Sequence, residues 1–160
     1  MKKAIVFSVL ILLAFFYSPA MAEAEEADIV ISVFCRPNKA SIGTGLGRKI
    51  MVKVANVGTV ETGGFNVDIV LSTDTTAPIA YAPYDAYFRE DVLLQGGREY
   101  VSNLRPGQVK KVPLYGTNKI PLDTPKGVLY IGVIADPGKS VTEVTEDNNL
   151  DFHPIRIKIE

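Results

Sequence analysis

Three separate runs of the chain place an apolar residue at every second position, and no window after residue 22 sustains an apolar stripe at i, i+3 and i+4 for three turns. Helical folds are thereby set aside. In 48–56, Ile50, Val52 and Val54 alternate with Met51, Lys53 and Ala55, and in 65–72, Phe65, Val67, Ile69 and Leu71 alternate with Asn66, Asp68 and Val70. At the end of the chain Ile155, Ile157 and Ile159 alternate with Pro154, Arg156 and Lys158. Successive side chains of a strand point to opposite faces, so each run reads as a strand with one buried face. The expected core is Ile50, Val52, Val54, Phe65, Val67, Ile69, Leu71, Ile155 and Ile157. Pro154 cannot donate to a ladder, which puts the last strand, or at least its start, at a sheet edge. Residues 128–135 differ, because both alternating sets are apolar or small; that pattern belongs to a central strand.

Turn signals separate these runs: Asn56-Val57-Gly58, Gly63-Gly64, Gly96-Gly97, Arg105-Pro106-Gly107, Pro125-Lys126-Gly127 and Asp136-Pro137-Gly138. Short strands joined by Gly/Pro turns predict an all-β fold, a two-sheet antiparallel sandwich of about seven strands. Residues 73–89 break the rhythm with two prolines and four aromatics, Tyr81, Tyr84, Tyr87 and Phe88, in what reads as a long irregular connection. Two readings stay open: rings that plug one end of the sandwich, or a recognition surface.

The first residues read as a targeting segment rather than as part of the fold. Lys2 and Lys3 precede an apolar run from Ala4 to Tyr17, and Ala20-Met21-Ala22 fits signal peptidase, so residues 1–22 are expected to be a signal peptide. Residues 23–27, Glu-Ala-Glu-Glu-Ala, are expected to form a solvated acidic tail, and 28–160 a single domain. The expected destination is the periplasm or the extracellular medium, with no membrane span after cleavage. Cleavage removes Lys2 and Lys3 from 17 basic residues, leaving 15 against 18 acidic ones and a net charge of about −3, with no basic cluster of the kind nucleic-acid binding needs. Cys35 is the only cysteine; it lies in an apolar run, which favours a buried thiol and a monomer over a covalent dimer.

The segments "ADIVISV" (27–33), "VKVANVGTVETGGFNVDIVLSTD" (52–74), "VSNLRPGQVKKVPL" (101–114) and "KGVLYIGVIADPGKSVTEVTEDNN" (126–149) together resemble the CARDB family, the cell-adhesion-related domain found in bacteria. The resemblance spans nearly all of the chain after residue 22. Its most specific features are "NVGTVETGGF", a leucine followed by "RPGQ", and Asp136 leading through Glu143 to "EDNN". It implies an immunoglobulin-like sandwich used as an extracellular module. The aromatic stretch 75–88 departs from the family pattern.

Catalysis is not expected. The lone histidine, His153, has no motif neighbours from which to build an acid/base pair and reads as a partly exposed strand residue. The glycines of 43–47 precede no helix and lack a P-loop lysine, so they read as a flexible connection. The segment 143–149, "EVTEDNN", is the densest polar cluster. Its plain reading is a structural hairpin turn in which Asn148 and Asn149 bond the backbone while the carboxylates are solvated. Asp136, Glu143, Glu146 and Asp147 also have the oxygen-rich composition of a calcium site, although the spacing is not that of an EF-hand. No other cofactor is implied. The leading functional expectation is an exported non-enzymatic module for interaction or adhesion, binding a protein or an envelope polymer through an edge strand or the aromatic loop. The alternative is a small carbohydrate-binding module that stacks sugars on Tyr81, Tyr84 and Tyr87, with Phe88 beside them.

Overall fold

The alternating runs become strands in a computed structural model that describes residues 25–78, 80–81, 86–87, 91–115 and 117–160. In chain order these strands are β1 (Ile29–Cys35), β2 (Lys39–Ala40), β3 (Ile50–Asn56), β4 (Phe65–Ser72), β5 (Ala80–Tyr81), β6 (Ala86–Tyr87), β7 (Asp91–Val101), β8 (Val109–Lys111), β9 (Gly127–Ala135), β10 (Leu150–Phe152) and β11 (Ile157–Ile159). One sheet has the order β1-β3-β8. The other runs β2-β11-β9-β4-β7, with β10 also paired to β9, and β5 and β6 form a ladder of their own. The pairings are antiparallel except for β2 with β11. This is an all-β sandwich, with more and shorter strands than the pattern of turns suggested.

The facing sides of the two sheets supply one apolar cluster. Ile50, Val52 and Val54 meet Phe65, Val67, Ile69 and Leu71, joined by Ile31, Leu104, Ile131 and Ile157, all buried. β9 is central, as its doubly apolar pattern predicts, lying between β4 and the β10–β11 pair. β4 is central too, contrary to the single buried face read from its alternation. Val70 and Asp68 are fully buried on the face away from the main cluster, and Arg98 of the neighbouring β7 meets the Asp68 carboxylate with both Nε and Nη2. A buried carboxylate is tolerated because a fork-shaped cation satisfies it.

Other expectations change for local reasons. Ile155 is not in the core; it is 61% exposed. Pro154 has no N–H for the ladder, the chain bends after His153, whose N–H still bonds the Ile131 carbonyl, and pairing with β9 resumes only at Ile157, so Ile155 turns outward. The edge expected at the start of the last strand is β10, while β11 is covered by β2. Gly96-Gly97 is not a turn but lies inside β7, beside an irregularity in the β4–β7 register, with Gly96 at φ 72°. A Cβ on Gly97 would come within 2.9 Å of the Ile69 carbonyl oxygen. The glycine loop 43–47 is tied down rather than loose: Gly43, Leu46 and Gly47 donate to the carbonyls of Ile120, Asn118 and Thr117. The acidic segment is also built in where it enters the sandwich, since Ala27 is buried and the Glu26 carbonyl accepts the Thr59 N–H.

β1, entered from Ala27, and β11, which leads to Glu160, run in the same sense through the sandwich. Ile29 therefore lies at the end where β3 stops and β9 stops, and Ile159 pairs with Gly127 at the opposite end. No helix of the described residues is long and apolar enough to cross a membrane.

Candidate functional site

The motif-bearing loops gather at the end of the sandwich where β1 begins. Asn56, the last residue of β3, is fully buried, and its side chain spans four backbone groups. Oδ1 accepts the N–H groups of Asp28 (3.2 Å) and Gly58 (3.0 Å), and Nδ2 donates to the carbonyls of Val60 (2.6 Å) and Leu104 (3.1 Å). Thr62 Oγ1 accepts the Leu104 N–H at 2.9 Å. The loop after β3 and the loop after β7 are thereby stitched together. Gly58 cannot carry a side chain, because a Cβ there would sit 2.4 Å from the Glu26 carbonyl oxygen and 2.5 Å from the Asp28 nitrogen.

The second stitch is "EVTEDNN". Glu143 is buried; Oε2 accepts the Ile29 N–H at 2.6 Å and Oε1 accepts Asn149 Nδ2 at 2.8 Å. Burial pushes its carboxyl up to about 7, against the opposing bonds from Ile29 and Asn149, while Glu146 and Asp136 add an upward repulsion. Asp136, at φ 44°, folds its own loop: Oδ2 accepts the Val141 N–H and Oδ1 accepts the Ser140 hydroxyl. Asn148 Nδ2 donates to Asp28 Oδ1 at 2.8 Å. The segment connects β9 to β10, as a hairpin connection should. Its asparagines, however, bond carboxylates rather than backbone, and two of the four carboxylates are buried and bonded rather than solvated.

The four candidate calcium ligands do not converge. Asp136, Glu146 and Asp147 line a cleft of about 360 Å³ with Lys139, whose ammonium lies 3.3 Å from Glu146, while Glu143 is committed to Ile29 and Asn149. No three His, Cys, Asp or Glu among the described residues are grouped so as to hold a metal ion. Of the aromatic candidates, Tyr84 and Phe88 lie outside the described residues. Tyr81 and Tyr87 are described as backbone only, paired with Ala86 and Ala80, so the stretch contains a short ladder rather than lacking strand structure altogether. His153 is not partly exposed but 4% exposed, with its ring edge-on to Phe34 at 5.4 Å and neither ring nitrogen hydrogen-bonded. The Cys35 thiol is buried, which raises it to about 11 against the opposing charge of Lys49, so it is an inert packing group.

Sequence reasoning missed an open groove. Between the end of β7 and the chain from β8 onward lies a groove of about 520 Å³, lined by Tyr100, Val101, Lys111, Val112, Pro113 and Tyr115 among others. Tyr100 and Tyr115 are 65% and 85% exposed. Room for Tyr100 comes from Gly64, where a Cβ would collide with the tyrosine hydroxyl. The signal was present at Tyr100: between Glu99 and Val101, both of which are buried, it occupies the outward position of a strand. Tyr115 carries no such periodic cue.

The described residues thus form an antiparallel sandwich whose loops are stitched by buried polar side chains, with an open groove between two sheet edges. The sequence model of the CARDB family matches residues 26–151, and the chain belongs to that family. The fold is shared with the CARDB domain of a Pyrococcus furiosus protein, solved in complex with di-metal ions. That likeness has 16% identity and a TM-score of 0.52, covering 85% of this chain and 90% of that one. It is shared also with a domain of a putative cell surface protein from Methanosarcina acetivorans, at 16% identity and a TM-score of 0.51, covering 84% and 93%. No curated protein matches the chain.

Proposed function

We propose that this chain is an exported, non-enzymatic interaction module of the CARDB type that holds a protein or an envelope polymer outside the cytoplasm. The observation that supports this most is the open groove between β7 and β8, flanked by two largely exposed tyrosines. Exposed aromatic rings beside an apolar floor are the usual anchors of binding surfaces. Export rests on the leader-like residues 1–22 and agrees with the cell-surface origin of the Methanosarcina domain.

The test is capture from envelope extract by the immobilised chain. Wild type should retain a specific partner that Tyr100→Ala and Tyr115→Ala each weaken without lowering the melting temperature. The intact mass of the protein recovered from its native cells should begin at Glu23. Equal capture by wild type and both variants, or retention of residues 1–22, contradicts the proposal. Binding of oligosaccharides alone on a glycan array would transfer the groove to the carbohydrate reading.

A further inference from the structure

The sandwich treats its strand edges unequally. In β1 the residues bonded to β3 are the even-numbered ones, as Val57 N–H to Asp28 O and Arg36 N–H to Lys49 O show. The odd-numbered N–H groups therefore face outward. Two of them are capped by carboxylates, Ile29 by Glu143 at 2.6 Å and Val33 by Asp151 at 2.7 Å. On β7, Gln95 exchanges backbone bonds with Lys119. β8 is different. Gln108 and Val112 point toward β3, through Asn56 N–H to Gln108 O and Val112 N–H to Val52 O. Val109 and Lys111 consequently turn their N–H groups away from β3, and among the described residues neither is given a cap.

The chemistry on each side of that edge is distinct. On the outer face Lys111 stands directly opposite Lys53, both exposed, and among the described residues no ion pair joins either lysine to a carboxylate. Like charges directly opposite in a ladder repel, so the pair disfavours the isolated sheet and favours an added anion. On the inner side the same edge borders the groove of Val101, Val112, Tyr100 and Tyr115, at whose rim Lys111 also lies and where the Lys110 ammonium is held by the Asn103 carbonyl.

Building on the interaction-module reading, we infer that the open edge of β8 accepts an extended protein segment as an additional strand, one whose residues alternate acidic with apolar. Its backbone would bond Val109 and Lys111, its carboxylates would face Lys111 and Lys53, and its apolar side chains would enter the groove between the tyrosines. Main-chain bonds supply affinity in such strand addition, and alternate side chains supply selectivity.

The probe is a capped peptide of about ten residues alternating Glu and Val, long enough to span a strand. It is compared with a Lys/Val peptide of the same length and with inorganic polyphosphate. The Glu/Val peptide should bind at least about tenfold more tightly than the Lys/Val peptide and should slow hydrogen exchange at the Val109 and Lys111 amides. Val109→Pro removes an outward donor without taking a bond from β3, and Lys111→Glu changes only an exposed side chain. Each should weaken the peptide at least about tenfold while the melting transition is kept. Absence of protection at Val109 and Lys111, or undiminished binding by both variants, overturns the inference. Polyphosphate that binds wild type and Val109→Pro equally, with the peptide failing, also overturns it and makes the face an anion surface. Envelope capture that survives Val109→Pro, with no peptide binding, would leave the interaction module standing and remove only strand addition.

Discussion

Glu143 shows how a single side chain can link the two sheets: one oxygen holds the first N–H of β1, the other holds Asn149 beside β10. Burial above all pushes its carboxyl up to about 7 in the folded chain, against 4.5 for an ordinary glutamate. The folded state therefore keeps a proton that the unfolded chain releases between those values. That stabilising contribution is complete below about 4.5 and is lost as pH rises through about 7. Glu143→Gln carries no titrating group there. The unfolding free energy of wild type relative to that variant should fall by on the order of 2 kcal/mol between about pH 5 and about pH 8. A flat or rising difference in denaturant titrations would show that the raised carboxyl has been misassigned. At this scale the sequence marked the right stretch and misjudged its bonds. Asn149 was expected to bond backbone, yet its amide reaches Glu143, a pairing set by which loops the sandwich brings together. Asn56 was legible only as a turn residue, because nothing local reveals that its four partners lie on three different segments.

Strands were legible where one face is buried and the other wet, as in β3, and where both faces are covered by apolar residues, as in β9. They were misread where glycine or proline acts inside an element. Gly96-Gly97 looks like a turn because a bulge and a turn draw on the same conformational freedom, and only pairing with β4 tells them apart. Ile155 kept the right parity but lost its place when Pro154 interrupted the ladder. Capping of the β1 edge was invisible too, since Asp151 reads as an ordinary strand residue. Its carboxylate holds the Val33 N–H and so blocks pairing with another chain. Asp151→Ala should cost about 1 kcal/mol or somewhat more through the unmet donor. It should also speed hydrogen exchange at Val33 and shift sedimentation toward concentration-dependent association. Unchanged exchange at Val33 would show that the carboxylate does not guard that edge.

For the whole molecule, alternation, turn spacing and the family motifs carried the all-β sandwich almost completely. The sites were far less legible, because a loop's composition gives its inventory of ligands but not the directions in which they point. Four acidic residues near one end suggested calcium; the fold commits Glu143 to β1 and Asp136 to its own loop, and puts Lys139 beside Glu146. The melting temperature should accordingly be the same in about 1 mM calcium as in chelator, whereas a bound ion at a hundred times its dissociation constant would add about 2.7 kcal/mol. A rise of several degrees in calcium would require these carboxylates to rearrange around a cation.

The entry of the chain at Ala27 and its exit at Glu160 lie at opposite ends of the sandwich, with β1 and β11 both running lengthwise between them. A pull applied across those two points is carried parallel to the strands. β1 is then dragged along β3 rather than peeled from it, and β11 along β9 and β2, so the bonds of each ladder bear the tension together instead of one after another. Glu143 and Asp151 fasten β1 at two further heights along the same line. The edge caps and loop stitches thus also act as fasteners against mechanical load.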